Sequence, residues 1–477
     1  MSGADLPTGL LLGDGWHRPN DDLPVRSPFS GDVIARVAQA EPGDVERAVV
    51  AARACLPPPP PAARAAVLER AAVLVGAAAE PLARTIAAEA GKPIRQARGE
   101  VARCADTLVF AAVEARRLAG EVVPMQGSAA GAGKIGLTVS EPVGVVAAIA
   151  PFNFPLNLVA HKVAPAIAAG CPVVLKPAEA TPLSALALAG ILLEAGLPLG
   201  ALTVLNGPGE TIGAALAAHP GVAMISFTGS AAVGWDLAAR HPRKHVALEL
   251  GNATPVIVTA DADLGRAADR IAASGFTHAG QSCVSVQRVL ADRVVHDRLV
   301  DAVAARVARL VVGDPLDEET DVGPLITVAA RDRVVAWIGE AVAGGAAVRA
   351  GGEVRDGILG PTVLTGVRPE MRVFREEVFG PVVGFTAVDG VDEAITLANA
   401  TRYGLQAGIF TGRADLAFGW ASRLDFGGVL INETPTYRAD QMPYGGIKDS
   451  GNTTEGPAAA VRSMTHRKLV VLEVPPA

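Results

Sequence analysis

Cys283 closes the run Gly280-Gln281-Ser282-Cys283, where small neighbours leave a thiol accessible from a cleft. A thiol so placed can act as a nucleophile. Glu249 sits in Leu248-Glu249-Leu250-Gly251, a carboxylate inside an apolar run. Burial there raises a carboxyl pKa and suits it to base chemistry. Asn153 stands between two prolines in Pro151-Phe152-Asn153-Phe154-Pro155. A side-chain amide fixed this way can donate a hydrogen bond to a developing oxyanion. Three further groups suit a ligand with sugar and phosphate. Lys176 and Glu179, in Leu175-Lys176-Pro177-Ala178-Glu179, could hold a ribose by its hydroxyls. Gly229 and Ser230 end Ser226-Phe227-Thr228-Gly229-Ser230, a strand, a small-residue turn and a helix start whose backbone N–H groups suit a phosphate. It is not the GxGxxG fingerprint. Glu377 and Phe379 lie in Glu376-Glu377-Val378-Phe379-Gly380-Pro381, a carboxylate pair entering an apolar strand. Taken singly, each group also has a plain structural explanation: a polar turn, a solvated loop pair, a glutamate paired to an arginine, a buried inert cysteine.

These residues need elements to hold them. From Val143 the chain alternates short apolar strands with helices. Strands are expected at Val143 to Ala150, Pro172 to Lys176, Leu202 to Leu205 and Ala223 to Phe227. Helices are expected at Asn157 to Ala169, Ser184 to Glu194 and Thr211 to Ala218. The rhythm restarts after Leu248, with strands at Pro255 to Val258 and Ser285 to Leu290 and helices at Asp263 to Phe276 and His296 to Leu310. Such alternation predicts parallel, helix-covered sheets whose ligands sit beyond the strand ends. The segment to about Gly120 reads as mainly helical, with helices over Ala62 to Ala90 and Gly99 to Leu118. Glu121 to Glu141 reads as a separate β-hairpin, and Lys468 to Val474 as an edge strand.

The chain has 477 residues, half of them hydrophobic, with a net charge of -7. That length predicts two or three domains with large cores. No basic field for nucleic acid is present. Cys55, Cys104, Cys171 and Cys283 are scattered without zinc spacing, so no metal site is expected and the protein reads as reduced and cytoplasmic. Pro142 to Ala160 is uncharged, but its three prolines and two asparagines fit a buried strand running into a loop, not a membrane span.

The order of these motifs closely resembles the aldehyde dehydrogenase superfamily over nearly the whole chain, from Gly13-Asp14-Gly15-Trp16 to Pro443-Tyr444-Gly445-Gly446-Ile447-Lys448. Glu249 and Cys283 lie 34 positions apart, which also resembles the family. Two departures stand out. Asn252 occupies a place the family usually gives to glycine, and Ser282 one where phosphate-accepting relatives carry arginine. The resemblance implies an α/β fold with two Rossmann-like parallel-sheet domains and a small β oligomerisation element. Residues 1–120 and 142–247 would form the NAD(P)-binding domain, 248–430 the catalytic domain, and 121–141 with 456–477 the oligomerisation element of a homodimer or homotetramer.

It also implies roles. Cys283 would attack an aldehyde and carry a thioester. Asn153 and the Cys283 N–H would hold the oxyanion, and Glu249 would activate the hydrolytic water. Lys176 and Glu179 would face the adenosine ribose, Gly229 and Ser230 the pyrophosphate, and Glu377 with Phe379 the nicotinamide ribose. Glu179 favours NAD, with NADP possible. Runs around Glu100-Val101-Ala102-Arg103 and Asn432 to Pro443 resemble lactaldehyde, phosphonoacetaldehyde and non-phosphorylating glyceraldehyde-3-phosphate dehydrogenases. They point to a small anionic or hydroxylated aldehyde gripped by Arg103 and Arg438. A CoA-acylating dehydrogenase or a cysteine hydrolase or acyltransferase shares part of this chemistry. The first has no need of Glu249, and for the second no histidine sits in a comparable motif.

Overall fold

A computed structural model describes residues 6–19 and 22–474. The outer ends of the expected domains, 1–5 and 475–477, and residues 20–21 within the first, lie outside the described residues.

Five apolar strands form the parallel centre of a first seven-stranded sheet. Its order is His245–Glu249, Val222–Thr228, Val145–Ile149, Val173–Lys176, Leu202–Val204, Leu10–Leu12 and Gly15–His17. The chain starts at Val145–Ile149, winds outward one way through two strands, then returns to build the other side. The topological switch point therefore lies between Val145–Ile149 and Val222–Thr228, and a crevice opens beyond their carboxyl ends. Strands this buried need covering on both faces. The apolar helices Asn157–Ala169 and Leu183–Glu194 pack in the same core as the long helices of the first segment.

The second seven-stranded sheet repeats the plan. Its order is Ala347–Ala350, Thr362–Thr365, Val382–Val388, Arg288–Asp292, Pro255–Val258, Gln406–Phe410 and Gly428–Ile431, parallel except at the first pair. The expected pair of Rossmann-like sheets is thus present. The last strand of the first sheet runs to Glu249, so the division expected at Leu248 falls inside it, and the second sheet begins at Pro255. The carboxyl end of one sheet feeds the amino end of the other within five residues, and the candidate residues cluster at that junction. A three-stranded antiparallel sheet, Thr465–Glu473, Lys134–Pro142 and Val122–Val123, stands apart from both.

Two local differences from the sequence reading have physical causes. The helix expected over Ala62 to Ala90 breaks at Ala78 into Pro61–Ala77 and Ala79–Ala90, bent by 75°. Pro81 has no N–H and its ring would strike the carbonyl of Ala77 in a continuous helix. Among the described residues, the first 38 positions hold four strands rather than helix, the first two only three residues long and too short to show a period. Among the described residues no single helix is long and apolar enough to cross a membrane.

Candidate active site

Cys283 sits in the loop between the turn Thr277–Gly280 and the strand Arg288–Asp292. His278, Ala279 and Gly280 all have positive φ, a backbone path that L-residues avoid, and it bends the chain sharply before the cysteine. The half-buried Cys283 sulfur lies 2.9 Å from the Tyr444 hydroxyl. Burial pushes its thiol pKa up to about 12, with the Glu377 and Glu249 charges adding and Arg438 opposing. The Cys283 carbonyl accepts from Thr254 Oγ1 at 3.2 Å. Its N–H makes no hydrogen bond among the described residues.

Asn153 is buried in the turn after the switch-point strand, and its Nδ2 donates to the Gln281 carbonyl at 2.9 Å. One amide hydrogen is thereby used and the second is left beside the cysteine loop. The turn is itself anchored from the helix Ile94–Arg117. Glu100 Oε1 accepts from the N–H groups of Leu156 and Asn157 at 3.0 and 3.1 Å, and its other oxygen pairs with Lys92. Lys92 Nζ lies 3.7 Å over the Phe154 ring.

Glu249 ends the last strand of the first sheet, buried, with neither carboxylate oxygen hydrogen-bonded among the described residues. Burial, with Glu455 beside it, holds its carboxyl well above the ordinary range. Burial also works against ionised Glu455, but Arg438, His161 and Lys162 outweigh it and keep that carboxyl below the ordinary range. Lys162 Nζ lies 3.2 Å from Ser226 Oγ and 3.8 Å from Glu455, and Arg438 Nη2 donates to Glu455 at 3.0 Å. A cavity of about 20 Å³ bordered by Glu249, Glu455 and His161 has room for roughly one water.

The groups expected to face a dinucleotide line the switch-point end. Ser230 caps the helix Ala231–Arg240, its Oγ accepting from Val233 N. At Gly229 a Cβ would lie 2.6 Å from the tip of the Phe227 ring, so a larger residue there would push that ring aside. The Thr228 hydroxyl beside it is buried with no partner among the described residues. Glu179 accepts from Gly209 N at 2.7 Å. Lys176 Nζ donates to the Pro177 carbonyl at 3.0 Å, its one hydrogen bond among the described residues. Glu377 is pushed up to about 7 by burial and accepts from Asn252 N at 3.0 Å. Phe379, at φ 47°, meets Phe152 edge-on at 5.9 Å. These groups fit a pyridine dinucleotide.

Asn252, the departure from glycine, fastens the sheet junction. Its side chain donates to Thr254 Oγ1 and the Gln406 carbonyl, both at 3.0 Å.

Arg103 and Arg438 each carry a carboxylate. Arg103 forms a two-point pair with Asp440, at 3.0 and 2.8 Å. Arg438 is buried, pairs with Glu455 and stacks 3.9 Å over the Tyr444 ring, and its Nε has no partner among the described residues. Asp440 also takes His161 Nε2 at 2.9 Å. No ring nitrogen of buried His278 finds a partner among the described residues, and neither histidine bonds the cysteine. The sequence reading missed Tyr444, Lys162, Glu455 and Asp440. Lys162 alone left a signal, a cation within the apolar helix Asn157–Ala169. Among the described residues no side-chain group could hold a metal ion.

A doubly wound sheet with dinucleotide-type groups at its switch point, facing a half-buried thiol at a sheet junction, defines an NAD(P)-dependent dehydrogenase. The chain belongs to the aldehyde dehydrogenase family, whose model matches residues 16–470. It is 44% identical over 468 residues to 3-sulfolactaldehyde dehydrogenase of Priestia aryabhattai, covering 98% of both chains. Its structure is similar to aldehyde dehydrogenase 21 from Physcomitrella patens in complex with the reaction product succinate, with a TM-score of 0.94, 40% identity and 98% of both chains covered. It is also similar to glyceraldehyde-3-phosphate dehydrogenase from Methanocaldococcus jannaschii complexed with NADP, with a TM-score of 0.91, 37% identity, and 95% and 100% of the two chains covered.

Proposed function

We propose that this enzyme oxidises a small aldehyde bearing a singly charged anionic group, with or without a hydroxyl, to its carboxylate through a thioester on Cys283. The observation that carries the reading is Arg438. It is buried, has one unpartnered N–H, and stacks on the ring whose hydroxyl touches the Cys283 sulfur. A buried donor left unmade costs about 1–3 kcal/mol, which an anion or hydroxyl in reach would recover. Each arginine is already balanced by a carboxylate, so the site suits one negative charge better than a phosphate dianion. The sulfolactaldehyde relative and the succinate-bound moss enzyme act on or release anionic molecules, which supports the same class.

The sulfur attacks the carbonyl carbon and the C=O electron pair moves to oxygen. The free Asn153 hydrogen and the Cys283 N–H receive that oxyanion; one such donor is typically worth about 3 kcal/mol of barrier. Bound NAD(P) supplies the hydride acceptor. Glu249, once ionised, takes a proton from the water that cleaves the thioester. Lys176 and Glu179 hold the adenosine ribose, Gly229 and Ser230 the pyrophosphate, and Glu377 with Phe379 the nicotinamide ribose. Glu179 repels a 2'-phosphate, so NAD is preferred over NADP. The unit of 1–120 and 142–247 binds the cofactor, 248–430 carries the nucleophile, and 121–141 with 456–477 joins copies in a cytoplasmic homodimer or homotetramer.

The test is kinetic. Purified enzyme is given NAD or NADP with an anionic 2-hydroxyaldehyde and a neutral one of similar size. The anionic aldehyde should win, with NAD as the better cofactor. Arg438→Ala and Arg103→Ala should each lower kcat/KM for the anion about ten- to a hundredfold more than for the neutral substrate. Preference for a long apolar aldehyde, unchanged by either substitution, overturns the reading.

A further inference from the structure

We propose that the Tyr444 hydroxyl is a catalytic group of this site, donating a hydrogen bond to the Cys283 sulfur and stabilising its ionised form. The proposal rests on the reading of Cys283 as nucleophile.

Geometry carries it. The oxygen and sulfur are 2.9 Å apart, and the Tyr444 hydroxyl is the sulfur's one hydrogen-bond partner among the described residues. The ring is not free to turn away. Tyr444 and Glu455 exchange backbone hydrogen bonds in an antiparallel bridge. The guanidinium of Arg438, itself held by Glu455, covers the ring face at 3.9 Å. The phenol is thus clamped from its backbone and from its face, with its oxygen against the reacting atom.

The charges around the sulfur show why such a donor matters. Glu377 and Glu249 face it and oppose a negative sulfur, as does burial, while Arg438 favours one. Arg438, Glu249 and Cys283 are the titratable groups that act on the phenol. Burial holds the phenol well above its ordinary range, so it keeps its proton at neutral pH and serves as donor, not base. A histidine is the usual partner of a reactive cysteine, and none bonds this one. The thiol proton therefore passes to solvent water, and Tyr444 retains its own. When the sulfur lone pair forms the bond to the aldehyde carbon, no proton is returned to sulfur.

Tyr444→Phe removes the donor and keeps the ring under Arg438. The rate of Cys283 alkylation by iodoacetamide, followed by peptide mass across pH without substrate or cofactor, reads the thiolate fraction. With the thiol pushed up to about 12, the rate climbs with pH throughout the accessible range, and Tyr444→Phe should be about tenfold slower at each pH there. Labelling of Cys55 in the same samples and NAD binding by fluorescence serve as controls for folding. An unchanged or faster labelling rate in Tyr444→Phe across that range overturns the proposal. Failure of the nucleophile reading shows separately, as full turnover by Cys283→Ala.

Discussion

A carboxylate buried with no hydrogen-bond partner favours its protonated form, and Glu249 is such a group. Its pKa is raised, so it is neutral below that value and gains base strength only as pH climbs through it. Turnover limited by thioester hydrolysis should therefore fall as pH drops through this raised value. Glu249→Gln should abolish that limb. It should also give a burst of reduced cofactor, followed by a slow steady rate and an acyl adduct visible by intact mass. Full turnover in the Gln variant would remove Glu249 from the mechanism and favour CoA as acceptor. At this scale the sequence showed what local context can show. Local context marked Cys283, Glu249 and Asn153 only as candidates, each with a plain structural alternative, and their order along the chain is what resembled a family. Tyr444 was not so marked, because its partner is 161 positions away and nothing local singles it out. Nor was the pairing of both arginines with Asp440 and Glu455, which charge counting along the chain cannot reveal.

One helix, Ile94–Arg117, supports two parts of the site. Glu100 anchors the turn carrying Asn153, and Arg103, nearly one turn further, meets Asp440. Residues three apart share a helix face, so the two contacts are mechanically linked. Lys92 and Glu100 are both fully enclosed, and removing one charge strands the other. Glu100→Gln should cost about 3 kcal/mol or more. Adding Lys92→Met should recover part of that, because the orphaned charge disappears with it. Thermal unfolding of the two single variants and the double variant checks this; additive losses would mean that the pair is not coupled. Elements of this kind were the most legible level of the fold. The helix Asn157–Ala169 has the bounds its apolar pattern predicted, and the strands Val173–Lys176 and Pro255–Val258 fall where apolar runs end in turns. Leu10–Leu12 and Gly15–His17 escaped notice, since three residues carry no periodicity and only their pairing with each other, and of Leu11 with Val204, makes them strands.

At the scale of the molecule, the small antiparallel sheet has no core of its own. Every residue after Thr465 in Thr465–Glu473 is exposed, although Leu469 to Leu472 are all apolar. Register decides what this means. Leu137 lies opposite both Val122 and Val470, and Ile135 lies opposite Leu472. Directly opposed residues in antiparallel strands point to the same face. Val122, Ile135, Leu137, Val139, Val470 and Leu472 therefore form one continuous exposed apolar face, with Val122 75% and Leu472 60% accessible. Such a face on a lone chain invites burial, and Thr465–Glu473 also presents an unpaired edge, because it is the outer strand. A second copy of the same sheet would cover this surface, the joining role proposed for 121–141 and 456–477. Leu137→Asp places a charge at the centre of the face, opposite two valines, and lies in neither the cofactor nor the thiol site. It should move the protein toward monomer in sedimentation velocity while NAD binding persists, because the two large sheets keep their own cores. An unchanged sedimentation coefficient would mean that the copies meet elsewhere. A monomeric wild type would leave this apolar face without the role its exposure demands, and would overturn the assignment of 121–141 and 456–477 as the joining element.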